Sequence, residues 1–246
     1  MPQSSARNSK IQAFPSTQWT LVQRIQCGSV EDARQAMEAI CRRYWYPVYS
    51  FLRRSGHAQH DAEDLTQMLF QKLIEEHSMK DVREERGRLR AFLLGVLKRS
   101  LADHFEKRRA IKRGGNVQII SFDEQEAESR YALEPADLKS PDAIYDHAWA
   151  RRVLEAAEEK LRGECEGADD VKTFESLREF LPLGENATPY RDVAVRLRME
   201  EATVRLQIHR MRKRYRKHIE EERAQTVADP AEQKSELAHL MVAMGR

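Results

Sequence analysis

Residues 188–219 read TPYRDVAVRLRMEEATVRLQIHRMRKRYRKHI, and no other stretch limits the fold so closely. Thr188-Pro189 is a helix start, with proline at the first helical position, where its missing N–H costs no hydrogen bond. Val193, Ala194 and Leu197 form the apolar side of a short helix, and Arg198-Met199-Glu200 make a tight turn. A longer helix follows and carries Val204, Ile208 and Met211 inward at helical spacing. This pattern predicts a helix-turn-helix, with Ala194 as the small residue that a close helix crossing needs. Thr203, Arg205, Gln207, His209, Arg210 and Arg214 then lie on the outer face of the second helix. Such side chains contact duplex DNA: arginine reads guanine, glutamine reads adenine, and cations hold the phosphate backbone. The plain alternative is a basic surface helix, and the turn and its apolar spacing argue against it.

The charge pattern points the same way. Net charge over the 246 residues is only +2, which by itself predicts no nucleic-acid partner. From residue 81 to 113, however, 11 Lys/Arg stand against 5 Asp/Glu. From 114 to 187 the balance is 8 against 18, and from 188 to 219 it is 10 against 3. Two basic blocks flanking an acidic one suit two polyanion contacts held apart by a spacer.

Charged residues make up 33% of the chain, and only 10 glycines and 8 prolines occur. That composition favours helices over a turn-rich sandwich or barrel. No apolar run approaches the roughly 18 residues that span a bilayer. MPQSSARNSK has no signal-peptide core. Cys27, Cys41 and Cys165 are too far apart for a metal knuckle or a disulfide framework, so reduced cytosolic thiols are expected.

Helical periodicity fills most of the rest. Residues 1–30 read as a polar, partly disordered extension with a short helix around Trp19 to Ile25. Ala36, Ile40, Tyr44, Val48 and Leu52 repeat every four residues, with Pro47 expected to kink or split that helix and Ser55-Gly56 to end it. In HDAEDLTQMLFQKLIE, residues 60–75, Ala62, Leu65, Leu69 and Leu73 share one face. Glu63, Asp64, Gln67 and Gln71 share another, rimmed by Phe70 and Ile74. The early acids also suit the positive end of the helix dipole. LRAFLLGVLKRSLADHFEKRR is apolar nearly all round before its tail turns basic, as a central bundle helix would be. Residues 114–141 read as an acidic linker with room for short ordered pieces, its acids serving either solubility and extension or imitation of nucleic acid in a basic channel, and a second helical set begins near Asp142.

In this order, the modules resemble the extracytoplasmic-function sigma factors of bacterial RNA polymerase, in a divergent subgroup with a C-terminal extension. DAEDLTQMLF resembles that family's region 2.2. RLRAFLLGVLKRSLADHFEKRR is similar to regions 2.3 and 2.4, and PYRDVAVRLRMEEATVRLQIHRMRKRYRKHI to region 4. The resemblance implies an all-α chain of two helical domains: region 2 at 31–113, the acidic linker at 114–141, region 4 at 142–222 and an extension at 223–246. It implies that Glu63, Asp64, Gln67, Phe70 and Gln71 meet the β′ clamp of core polymerase. It implies that Arg88, Arg90, Lys98, Arg99, Lys107, Arg108 and Arg109 open and read the single-stranded −10 element. Region 4 would read the duplex −35 element and touch the β flap. The chain departs from its relatives at Phe92, where they often have tryptophan, at Arg99, where they often have asparagine, and at Gln207, which takes the place of a recognition-helix arginine.

The resemblance further implies a cytoplasmic, non-enzymatic protein with no cofactor and no membrane segment, open to an anti-sigma regulator. Leu237, Leu240, Met241 and Met244 make an apolar stripe that would pack on the chain itself or bind such a regulator. A free-standing helix-turn-helix regulator is the alternative function, although the module ahead of the linker is not a usual dimerisation or ligand domain. Catalysis has little support. His57 and His60 ahead of Asp61 and Asp64 are the nearest approach to a metal set, with nothing to complete it. No phosphate loop, nucleophile elbow or dinucleotide fingerprint occurs.

Overall fold

The structure is a computed structural model, and it describes residues 18–75, 89–110, 124–135, 140–184, 188–224, 238–239 and 241–244. The described residues are helical and contain no strand. In order the helices are α1 (Gln18–Cys27), α2 (Val30–Arg54), α3 (Gln59–Glu75), α4 (Leu89–Ala110) and α5 (Glu124–Ala132). They continue with α6 (Pro141–Gly163), α7 (Ala168–Leu177) with a 3-10 turn (Arg178–Phe180), α8 (Tyr190–Leu197) and α9 (Glu201–Ala224).

Local chemistry sets the helix boundaries. Ser29 caps α2 by accepting from Asp32 N, and the Asp32 carboxylate accepts from Ser29 N in return. Gly56, at φ +92°, lets the chain leave α2 through a left-handed turn. Pro47 neither splits α2 nor stops it, because it sits in a run of buried residues from Tyr44 to Leu52 whose packing holds the helix through it. Ser140 caps α6, and Pro141 opens it. At α8 the helix begins one residue later than the sequence suggests, with Pro189 as the cap. Glu179, from the 3-10 turn, accepts from Thr188 N at 2.9 Å and so fixes the approach to α8.

The core is organised around α6. Tyr145, Ala148, Trp149, Ala150, Val153 and Ala157 have no exposed surface. One flank of α6 packs on α2 and another on α9, so the helices on either side of the linker share one apolar core. Tyr145 Oη donates to Arg90 O in α4 (3.0 Å), and Tyr215 Oη in α9 donates to Leu154 O (3.1 Å). Glu222, near the end of α9, is buried and pairs with Arg43 of α2 and with Lys160 of α6, the latter at 2.7 Å.

The acidic linker is docked where it is described. Ala127 of α5 is buried, and polar contacts do most of the remaining fastening. Glu128 accepts from Tyr49 and from Arg53 of α2, with Arg53 Nη2 2.7 Å away. Arg130 reaches Glu155 of α6 at 2.6 Å and stacks over Tyr46, 4.9 Å from the ring centre. Glu134 is buried between Tyr46 Oη at 2.6 Å and His147 Nδ1 of α6 at 2.8 Å. Periodicity alone marks these acids as a solvated spacer, and tertiary partners account for the difference.

Two outcomes follow from this packing. Trp149→Ala removes a wholly buried indole and should cost about 3–5 kcal/mol. Because α6 serves both sides of the core, probes in α4 and in α9 should lose structure at the same denaturant concentration. For Glu134, burial alone would raise the carboxyl pKa. The hydrogen bonds to His147 and Tyr46 outweigh it and hold the group below its ordinary 4.5. A carboxyl with a lowered folded pKa stabilises the protein above its unfolded value and stops doing so as pH falls through the folded one. The urea midpoint of the wild type should therefore exceed that of Glu134→Gln at pH 7, and the two should converge as pH falls below about 4.5.

Candidate functional site

Three surfaces carry the chemistry singled out in the sequence, on α3, α4 and α9. On α3 the buried arc is wider than the four-residue apolar repeat indicates. Ala62, Leu65, Thr66, Leu69 and Leu73 point inward, and so do Glu63 (4% exposed) and Phe70 (3%). Glu63 accepts from Gln59 Nε2 at 3.0 Å and lies 3.7 Å from His60 Nδ1. The expected outer face thus loses Glu63 and Phe70, which serve the interior because α3 packs on both α2 and α4. Asp64 is exposed, Gln67, Met68 and Gln71 are half-buried, and Ile74 is 40% exposed. Together these make an acid-amide strip with a thin apolar edge.

On α4 the residues expected to meet DNA are in different states. Arg88 lies outside the described residues. Lys107, Arg108 and Arg109 are in the last turns of the helix. Arg99 is exposed. Arg90 is buried: its guanidinium sits 2.5 Å from Asp146 Oδ1 and 4.9 Å from the Trp149 ring centre. Lys98 Nζ is 2.5 Å from Asp142 Oδ1 and 5.8 Å from the Phe51 ring centre. His239, in the C-terminal segment, brings Nε2 within 3.0 Å of the other Asp146 oxygen and packs near Trp149.

On α9 the inward residues Val204, Ile208, Met211 and Tyr215 set the phase of the helix. At 100° per residue, Leu206, Arg210, Lys213 and Lys217 point directly away from them, and all four are exposed. Thr203 and His209 are exposed beside this line. Arg205 leans back to Glu201 at 2.5 Å and over the Tyr190 ring at 5.6 Å. Gln207 is half-buried, with Nε2 3.7 Å from Met199 Sδ, and Arg214 is tied to Glu164. Of the six sequence candidates, Thr203, His209 and Arg210 thus stand outward, and Arg205, Gln207 and Arg214 flank them with partners of their own. Leu206, 48% exposed, together with Lys213 and Lys217, completes the outer line. Extending the inward repeat to Tyr215 is the signal that finds them. Arg198, at φ 53°, forms the left-handed turn between α8 and α9.

Residues 40–111 match the family model described as Sigma-70 region 2. Over this segment the chain is similar to sigma-70 region 2. Region 2 domains are characteristic of RNA polymerase sigma factors, which initiate transcription without being catalysts. The matched segment takes in most of α2 and all of α3 and α4. The acid-amide strip and the Arg90–Lys98 face therefore both belong to it. No curated protein and no solved structure matches the chain. Among the described residues no helix is long and apolar enough to cross a membrane, and no cluster of His, Cys, Asp or Glu is arranged to hold a metal.

The two acids at the start of α3 should behave oppositely. Glu63→Ala removes a buried side chain from the packed side of α3 and should cost about 0.5–3 kcal/mol in stability. Asp64→Ala, on the exposed strip, should stay within about 0.5 kcal/mol. Thermal melts of the two variants measure the difference.

Proposed function

We propose that the chain is a promoter-specificity factor of the extracytoplasmic-function type. In this reading region 2 binds core RNA polymerase through the strip of Asp64, Gln67 and Gln71 and then opens and reads a −10 element. The pair α8–α9 works as a helix-turn-helix that reads a −35 element in duplex form. The observation that carries the reading is the region 2 match, over a segment that holds both an acid-amide strip with Asp64 exposed and a basic helix tail.

The physics assigns separate tasks to the two faces. A partly acidic surface is repelled by DNA but complements a basic protein partner. The outer line of α9 is cationic, with Arg210, Lys213 and Lys217, and carries Leu206 and Thr203 among the charges. Cations there hold phosphates at a fixed register, and an exposed leucine suits the methyl group of thymine. The N-terminal half of a helix enters a major groove most readily, and these residues begin in the first turn of α9.

Transcription in vitro with purified core polymerase tests the reading. The chain should co-elute with core and direct transcripts from a small set of promoters. A chain that does neither is not a sigma factor. Asp64→Ala combined with Gln67→Ala should weaken core binding at unchanged helical content. Arg210→Ala should weaken −35 duplex binding by about 1–3 kcal/mol with a change in base preference if it reads a base edge. If it holds a phosphate instead, all sequences should lose affinity alike and the salt slope should fall by about one.

A further inference from the structure

The short helix α8 does not hold its own place. It has 8 residues, against the roughly 12–15 that a helix needs to persist alone in water. The 3-10 turn after α7 seats it. One carboxylate of that turn, Glu179, takes three hydrogen bonds from the two ends of α8. Its Oε2 accepts from Thr188 N at 2.9 Å and from Thr188 Oγ1 at 2.5 Å, just ahead of the helix. Its Oε1 accepts from Arg196 Nη2 at 2.9 Å, in the last turn. Arg196 Nη2 also donates to Ser176 O at 2.9 Å. Arg196 is half exposed, and such a pair alone contributes little. Three bonds that converge on one acceptor fix an orientation, because α8 cannot turn on its axis without breaking one of them.

The turn is itself held from several sides. A Cβ at Gly184 would stand 2.0 Å from Glu179 O, so the chain folds back against the turn as closely as only glycine allows. Phe180 is buried, and its carbonyl accepts from Arg212 Nε of α9 at 3.0 Å. The Phe180 ring lies 5.2 Å from the ring of Tyr190, the first residue of α8. Tyr190 in turn carries the Arg205 guanidinium, 5.6 Å from its ring centre. The turn therefore touches both helices of the pair, and through Tyr190 it reaches a cation beside the outer line of α9. Desolvation would raise the Glu179 carboxyl pKa. The bonds from Thr188 and Arg196 outweigh it and hold the group below its ordinary 4.5, so Glu179 meets its donors as a carboxylate.

We propose that Glu179 is a positioning residue for duplex reading: without touching DNA, it sets the angle of α8 on α9 at which Arg205 and the outer line of α9 meet one groove together. This deepens the −35 reading above and rests on it. A carboxylate is repelled by phosphates, so contact is not its use. Angle matters unequally to the two kinds of contact. A hydrogen bond to a base edge needs fixed geometry, whereas the attraction of a cation to phosphate tolerates a shift. Loosening α8 should therefore cost discrimination before it costs binding.

The test uses the chain assembled with core polymerase and two fluorescent promoter duplexes that differ only in the −35 element. One carries the element of a promoter that the complex uses, and the other carries it scrambled. The readout is the ratio of the two affinities. Removing a carboxylate strengthens binding to both duplexes alike, and the ratio cancels that gain. The wild type should prefer the intact element by about ten-fold or more. Glu179→Ala should reduce the ratio to about a fifth of that value or less, with the salt slope unchanged because no phosphate contact is lost. Glu179→Gln keeps the length and a carbonyl acceptor for Thr188, and should restore part of the ratio. Thr188→Val keeps the branched shape and the backbone donor but loses the hydroxyl, and should roughly halve the ratio at wild-type helical content. It decides the matter if Glu179→Ala does not fold. A control, Glu166→Ala, makes the same charge change at an exposed acid and should keep the wild-type ratio. Folded Glu179 and Thr188 variants with the wild-type ratio overturn the positioning role. So does an equal loss of affinity for both duplexes, which lost stability alone would produce. The two readings fail differently. If the wild-type complex does not prefer the intact element, the −35 reading is lost. If it does, and the variants do as well, only the role of Glu179 is lost.

Discussion

Everything else in the structure depends on the burial of α6 between α2 and α9. A helix with Tyr145, Trp149, Val153 and Ala157 wholly inside cannot stand alone in water, since each large apolar side chain left exposed forfeits about 1.5–3 kcal/mol. It needs neighbours on more than one flank. The chain supplies α2 from before the linker and α9 from after it. The alanines at 148, 150 and 157 let these neighbours approach closely. Surface features that face unrelated tasks are thereby held in one frame.

The polar contacts divide into two kinds around that frame. Buried groups such as Glu134 and Glu222 bridge helices and fix which parts of the surface adjoin. Exposed pairs such as Arg34–Glu31 and Arg42–Glu38 stay within one helix and contribute little to tertiary order. The buried kind is costly when half-made, so it specifies a single arrangement more than it adds stability. That distinction explains why an acidic linker can be ordered. The charges of Glu128, Arg130 and Glu134 are spent on named partners instead of on water.

Much of this was legible in the sequence. The four-residue repeat in α2, its end at Ser55-Gly56, the turn at 198–200 and the phase of α9 all follow from local rules, and the structure shows each of them. So does the all-helical fold. What was not legible depends on contacts between distant residues. Periodicity put Glu63 and Phe70 on the outer face of α3, because it cannot register that α3 packs on two helices. The resemblance put Arg90 among the DNA contacts, and no local pattern shows its ion pair with Asp146, which stands 56 residues away. Local rules allowed Pro47 to kink or split α2, and the helix is not split, because local propensity carries no information about the packing that holds it together. The apolar stripe of the C-terminal extension is only partly described. Leu237 and Leu240 lie outside the described residues, Met244 packs against the core, and Met241 is 49% exposed.

The last turns of α9 have a mechanical consequence. At a rise of about 1.5 Å per residue, the 13 steps from His209 to Glu222 span roughly 20 Å of stiff rod. One end carries an outward line of cations, and the other is pinned to Arg43 of α2 and Lys160 of α6. A rod of that kind acts as a lever, with no soft joint between its ends. Any tilt imposed on the outer end arrives at the pinned end as a displacement against the buried Glu222 carboxylate and its two ion pairs. The fit of one surface to its target is therefore weighed against the seating of α2, with no messenger between them other than the helix.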